Sequence, residues 1–194
     1  MCGRYYIDDN SEYMMGLVRE IAAGPDGNRI MDMKLGEIFP TNTVPVITSE
    51  RPRLMQWGFA RYNGGGKVIN ARSETATEKP MFAKSMRERR CLLPASWYFE
   101  WQRVGSTKKQ KHAISLPDGA PLAMAGVFRE EKDIPLPVFV ILTREAAPGL
   151  SQIHDRMPVI LAKEMQREWL STYCDIKRTL HMATEQLDCF PVKG

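Results

Sequence analysis

Residues 92–142 read as a run of short apolar segments cut by Val104-Gly105-Ser106, by Pro117-Asp118-Gly119 and by a charged turn over residues 130–133. Segments of strand length joined by turns pair with their chain neighbours; a doubly wound sheet needs helices between its strands, and this stretch carries no helical period. It predicts an antiparallel meander. Before it, residues 3–7, 44–48 and 54–60 read as strands, and Asn63-Gly64-Gly65-Gly66 is a turn leading into Val68-Ile69-Asn70-Ala71. Asn10 or Ser11 is placed to cap a helix with Met14, Leu17, Val18 and Ile21 at helical spacing, ended by Gly24-Pro25-Asp26-Gly27. A short helix is expected over 79–89 and another over 163–172, with Met165, Trp169 and Leu170 on one face. Strands are expected over 157–161 and 186–192. With no internal repeat or linker, residues 1–194 are read as one β-rich α+β domain.

The chain has 194 residues, 43% of them apolar and 26% charged. A chain of this length removes roughly 70% of its unfolded surface from water, so its core requires neither disulfides nor a structural metal. No apolar run approaches the ~20 residues of a membrane span, and the N-terminus lacks the layout of a secretory signal. The expectation is a cytoplasmic protein whose mature chain starts at or next to Met1. The 27 Lys and Arg against 23 Asp and Glu leave +4, a sign that favours an anionic partner such as nucleic acid. Cys2, Cys91, Cys174 and Cys189 form no C-x-x-C pair and the three histidines lie far apart, so neither a metal site nor another cofactor is expected.

Cys2 is the most unusual position. Removal of Met1 would leave an α-amine and a thiol on one residue. The amine, with a reference pKa of ~7.7–8.0, attacks an aldehyde to form an imine, and the thiol, reference ~8.5, then closes a five-membered thiazolidine. The bland alternative is a small apolar residue that happens to stand second.

Other residues carry weaker signals. In Trp97-Tyr98-Phe99-Glu100-Trp101, strand alternation puts Trp97, Phe99 and Trp101 on one face and Tyr98 and Glu100 on the other. A carboxyl among rings is desolvated toward the range useful for proton transfer, whereas an edge-strand Glu simply faces water. His154 stands between Ile153 and Asp155-Arg156, where an imidazole exchanges protons near neutral pH, or is an ordinary loop histidine. Asn70 and Arg72 follow the glycine-rich turn, a place for ligand-holding polar groups or for hydrogen bonds within the turn. The basic stretches 84–90 and 108–112 suit phosphates or are solvated faces.

Met1-Cys2-Gly3-Arg4, Gln56-Trp57-Gly58-Phe59, Ile69-Asn70-Ala71-Arg72-Ser73-Glu74, Arg90-Cys91-Leu92-Leu93-Pro94-Ala95, Trp97 to Trp101 and Ile153-His154-Asp155-Arg156-Met157-Pro158 resemble, in this order, the SOS-response-associated peptidase family of abasic-site processing proteins. The resemblance spans almost the whole chain. It implies a β-rich, barrel-like α+β fold that binds single-stranded DNA and captures the ring-opened aldehyde of an abasic site as a covalent thiazolidine. It also implies Cys2 as nucleophile with Asn70, Glu100 and His154 around it. DNA contacts are implied at Arg4, Trp57, Arg72, Trp101, Thr143 and Arg156. Self-removal of the residue before Cys2 belongs to the same expectation; an imine at the sugar also acidifies the adjacent carbon, which opens a route to strand-cleaving lyase activity, and a monomer is favoured. The segment around Phe39-Pro40-Thr41-Asn42 follows the family pattern loosely, and the end at Phe190-Pro191-Val192-Lys193-Gly194 looks shortened. Two other readings remain at this point: an N-terminal-cysteine amidohydrolase, and a non-catalytic single-strand binding module.

Overall fold

In the computed structural model, residues 2–62 and 64–193 are described; Asn63 of the expected glycine-rich turn lies outside them. In chain order the elements are β1 (Arg4–Ile7), α1 (Glu12–Ala22), a 3-10 turn (Gly27–Asp32), β2 (Gly36–Ile38), β3 (Thr43–Ile47), β4 (Pro52–Trp57), β5 (Phe59–Ala60), β6 (Lys67–Val68), β7 (Asn70–Arg72), α2 (Ser73–Ala76) and α3 (Pro80–Glu88). There follow β8 (Arg90–Ala95), β9 (Trp97–Val104), β10 (Lys108–Ser115), β11 (Leu122–Arg129), β12 (Val138–Glu145), β13 (Arg156–Pro158), α4 (Lys163–Leu170), α5 (Ile176–His181) and β14 (Asp188–Val192). The fold is α+β and strand-rich. Among the described residues, no helix is long and apolar enough to cross a membrane.

Five strands close on themselves in the order β11–β8–β3–β4–β12 and back to β11, forming a barrel, with β7 and β13 added on β12. A second sheet runs β14–β10–β9–β1–β2, all antiparallel. The expected meander is thereby corrected. Its strands exist, but β9 and β10 leave for the second sheet, β8 pairs with β11, and β12 runs parallel to β4 and β7. The departure happens at Ser96, the one residue between β8 and β9. Its N–H donates to the Tyr6 carbonyl at 2.8 Å and its hydroxyl accepts from the Asp8 N–H at 3.0 Å, so the corner is tied to β1.

Alternation decides which core each barrel residue joins. Phe139 and Ile141 of β12, with Cys91 and Leu93 of β8, face the second sheet's Tyr5, Ile7, Tyr98 and Ile114. Val138, Val140 and Leu142, with Leu92, pack instead beneath the helices against Phe82, Met86 and Trp169. Apolar burial on both faces explains why these strands lack a polar–apolar period. Ser11 caps α1 by accepting from the Met14 N–H, as the sequence suggests.

The basic stretch 84–90 is not a uniformly solvated face. Arg90 is buried, and its guanidinium donates to the carbonyls of Met86 and Arg87 at the end of α3 and of Trp169 and Ser171 at the end of α4. Helix ends leave such carbonyls without partners, so this one side chain joins two helices. The Trp169 indole N–H donates to the Cys91 carbonyl at 2.9 Å and fastens the pair to the barrel.

Gly126 of β11 has no space for a side chain: a Cβ there would lie 2.3 Å from a Leu93 methyl and 2.9 Å from the Val140 carbonyl oxygen. Gly126→Ala should lower unfolding stability by about 1–3 kcal/mol through overpacking. Urea denaturation followed by circular dichroism measures it, and an unchanged midpoint would contradict this account of barrel closure.

Candidate active site

The chemistry-bearing residues converge where β7 and β13 flank β12 and the barrel meets β9. Asn70 opens β7, opposite Ile141 in a parallel register. The residue before it, Ile69, is pinned by its carbonyl, which accepts the Trp57 indole N–H at 2.9 Å and the Ile141 N–H at 3.1 Å. So fixed, the Asn70 amide donates through Nδ2 to the Cys2 carbonyl at 2.9 Å. Its Oδ1 is buried and accepts no hydrogen bond among the described residues. Cys2 is fully buried. Burial pushes its thiol far up, and the nearby Glu100 charge adds to the rise.

Glu100 lies on the buried face of β9, 4% exposed. Burial raises its carboxyl above the usual carboxylate range, and His154 pulls in the opposite direction. The two share a niche too narrow for a water molecule with Tyr98, Arg156, Leu150 and Ile153. His154 Nδ1 accepts the Arg156 backbone N–H at 3.0 Å and lies 2.7 Å from Asp155 Oδ1. One ring nitrogen has one in-plane position, so these contacts alternate: a bare Nδ1 accepts from Arg156, and a protonated one donates to Asp155.

Arg156 is held as a fork. Its Nη1 and Nη2 reach Glu74 Oε1 and Oε2 at 2.7 and 2.8 Å, and Nη2 also donates to the Thr143 carbonyl at 2.6 Å. The Arg156 hydrogen bonds hold the Glu74 carboxyl below its usual range.

The structure thus brings together Cys2, Asn70, Glu100, His154, Thr143 and Arg156. Thr143 is fully buried and supports Arg156, so it does not itself offer a surface to a strand. Trp57 differs from expectation. It has no exposed surface, stacks on Phe139 and serves Ile69, so it has no ring face free for a base. Arg72 is exposed. Arg4 and Trp101 lie on the opposite face of β9 from Glu100, as alternation requires. The Arg4 guanidinium sits 4.8 Å from the Trp101 ring and 4.7 Å from that of Phe39, with Nη1 on Glu37 at 3.2 Å.

The family model for SOS response associated peptidases (SRAP) matches residues 1–194. The chain belongs to the SRAP family. Among curated relatives, the abasic site processing protein YedK of Escherichia coli is 32% identical over 182 residues, covering 88% of this chain and 79% of that protein. YoaM of Bacillus subtilis, also an abasic site processing protein, is 42% identical over 110 residues, 55% of this chain. This match spans about half of YoaM's length, 48%. The SRAP fold itself is matched by a crystal structure from Bacteroides thetaiotaomicron, with TM-score 0.82 and 22% identity over 99% of this chain and 92% of that one.

Sequence reading missed Glu74, Glu37 and Lys111. Glu74 lies 82 positions from Arg156, and nothing local marks the pair. Lys111, in a stretch read as gripping phosphates or as a solvated face, is buried with its ammonium 3.9 Å above the Phe99 ring and 2.9 Å from Glu37. Its place opposite Trp101 in the β9–β10 ladder is the register consequence that a sequence alone does not state.

Because Glu100 is raised in the folded state, its charging disfavours folding once pH exceeds its unfolded value near ~4.3. The loss grows as pH rises to the folded value and is constant above it. Glu100→Gln does not titrate, so its stability relative to the parent should increase from pH 4 to pH 8; urea midpoints at the two pH values test this, and a difference independent of pH would contradict the burial assignment.

Proposed function

We propose that this protein processes abasic sites by covalent capture in single-stranded DNA through Cys2. The observation that carries the reading is the Asn70 amide on the Cys2 carbonyl beside the raised carboxyl of Glu100. The names of its relatives YedK and YoaM agree with it. An unpaired abasic nucleotide costs least to turn out of its strand toward a recessed centre, which favours single-stranded DNA.

While an amide joins Cys2 to the residue before it, the nitrogen is not nucleophilic, so Met1 must first be cleaved. The freed amine then adds to the aldehyde carbon of the opened sugar, giving a carbinolamine. Glu100, kept protonatable by burial, donates to the departing hydroxyl, water leaves, and an imine forms. The Cys2 sulfur adds to the imine carbon while its proton passes to the nitrogen, closing a thiazolidine. Asn70 holds the backbone of the nucleophile and offers Oδ1 to the freed amine. His154 exchanges the proton that opens the sugar ring, with Arg156 and Glu74 fixing the loop that carries it. Arg4, Arg72 and Trp101 take the strand. The same imine acidifies the adjacent sugar carbon, which is the route to lyase cleavage.

Processed protein should form a heat-stable adduct with a single-stranded oligonucleotide bearing one abasic site. Cys2→Ala should form none, and Cys2→Ser should give only an imine trapped by borohydride. Glu100→Gln should slow adduct formation about 10²–10⁴-fold at saturating DNA. Denaturing gels and intact mass read all four proteins, and an equal stable adduct from Cys2→Ala would sink the mechanism.

Of the three arginines implied as strand contacts, Arg72 is the exposed one, whereas Arg4 and Arg156 are already bonded to carboxylates. Arg72→Ala should weaken undamaged and abasic strands equally and reduce the slope of log affinity against log salt by about 0.7. Fluorescence anisotropy across a salt series checks it; an unaltered slope removes Arg72 from the strand contacts.

A further inference from the structure

A second thiol lies on the same sheet face as Glu100, in a setting the capture chemistry does not use. The β9–β10 register sets His112 opposite Glu100, and the β10–β14 register sets Cys189 opposite Ile114, one diagonal step from His112. Cys189 Sγ lies 3.4 Å from His112 Nδ1, and His112 Nε2 lies 3.2 Å from Gln102 Oε1. Gln102 Nε2 donates to the Gln152 carbonyl at 3.4 Å, which turns the amide oxygen toward the ring. An amide oxygen only accepts, so it selects the tautomer with hydrogen on Nε2. Nδ1 is left bare to take the thiol proton.

A nucleophile in hydrogen-bond reach of a base, with that base oriented by a third group, is the arrangement of an activated thiol. Three adjacent strands supply one member each. We infer that Cys189, with His112 as base and Gln102 as orienting residue, is a modification site for a small neutral electrophile, namely a hydroperoxide. The size follows from the surroundings: Cys189 and His112 are half-buried, Cys189 packs against the apolar core, and neither lines the adjoining cavity walled by Phe190, Ala113 and Lys111. The neutrality follows from the same half-burial, which penalises bringing a charged reagent to the sulfur; burial also pushes the Cys189 thiol up, so sulfur attacks as His112 removes its proton.

The step balances without a further reactant. The thiol proton moves to Nδ1, the sulfur lone pair attacks the nearer peroxide oxygen and the O–O bond breaks. The departing hydroxide takes the proton from Nδ1 and leaves as water. Sulfur is oxidised by two electrons to a sulfenic acid, and the peroxide is reduced by the same two.

Cys174 is a matched control. It is also half-buried, but its sulfur meets the Thr179 hydroxyl at 3.5 Å and, among the described residues, no imidazole; the nearby Arg90 charge favours its thiolate, which makes the comparison a strict one. The whole protein is treated with a few equivalents of hydrogen peroxide, sulfenic acid is trapped with dimedone, and peptide mass spectrometry follows each cysteine over time. Cys189 should be labelled at least about 10²-fold faster than Cys174, the gain expected of a positioned base. His112→Gln should remove that advantage while leaving the Cys174 rate unchanged. Equal rates at the two cysteines in the parent, or an undiminished Cys189 rate in His112→Gln, would overturn the inference. If His112→Gln unfolds, the buried Cys91 also reacts, and the parent's ratio of Cys189 to Cys174 then decides alone. Because no DNA is present, the outcome is independent of the covalent capture proposed for Cys2.

Discussion

β12 has two edges, and the fold divides each of them between two strands. Along one edge β11 pairs with residues 138–141 and β13 with residues 143–145. Along the other, β4 pairs with Val138 and Phe139, and β7 with residues 141–143. Between β4 and β7 the chain leaves the ladder at Gly58, whose φ is +119° and where an added Cβ would lie 2.9 Å from the Lys67 Cβ, so a side chain is excluded. It makes the β5–β6 hairpin and returns in time to set Asn70 opposite Ile141. Closure of the barrel and placement of the polar residues are therefore one event: a slip of β7 by one residue would turn Asn70 to the opposite face.

The second sheet contributes its two faces to different tasks. One face of β9 sends Tyr98 and Glu100 inward, where desolvation keeps the carboxyl protonatable. The other carries Phe99 and Trp101, which hold Lys111 and Arg4 over their rings. Glu37 accepts from both cations, and although its partial burial acts the other way, their hydrogen bonds keep its carboxyl below the usual range.

Much of this was legible in local pattern. The Ser11 cap, the helix bearing Trp169 and the separation of Glu100 from Trp101 follow from spacing or alternation, and the family motifs group Asn70, Glu100 and His154 with Cys2. What was not legible depends on contacts distant in sequence. Trp57 reads as an aromatic available to a base, and only the Ile69 carbonyl and the Phe139 ring explain why it is enclosed. Arg90 sits in a basic run, yet its charge is spent on four backbone carbonyls. α5 was missed because six residues carry too little period, although Asp175, which accepts from the Arg178 N–H, was its available start signal. The meander was misassigned for a similar reason: strand order within a sheet depends on Ser96 reaching β1, not on turns alone.

The rings around Arg4 have a thermodynamic consequence. A free arginine loses about 2 kcal/mol of rotamer freedom when it is fixed. Arg4 has already surrendered much of that freedom on folding, clamped between Phe39 and Trp101 with only Nη1 engaged among the described residues. An anion arriving there meets donors already in position, so its attraction is not offset by ordering of the side chain. Exposed Arg72 must be ordered at the moment of contact. Two equal charges on one surface are thus unequal partners, distinguished by when their entropy is lost.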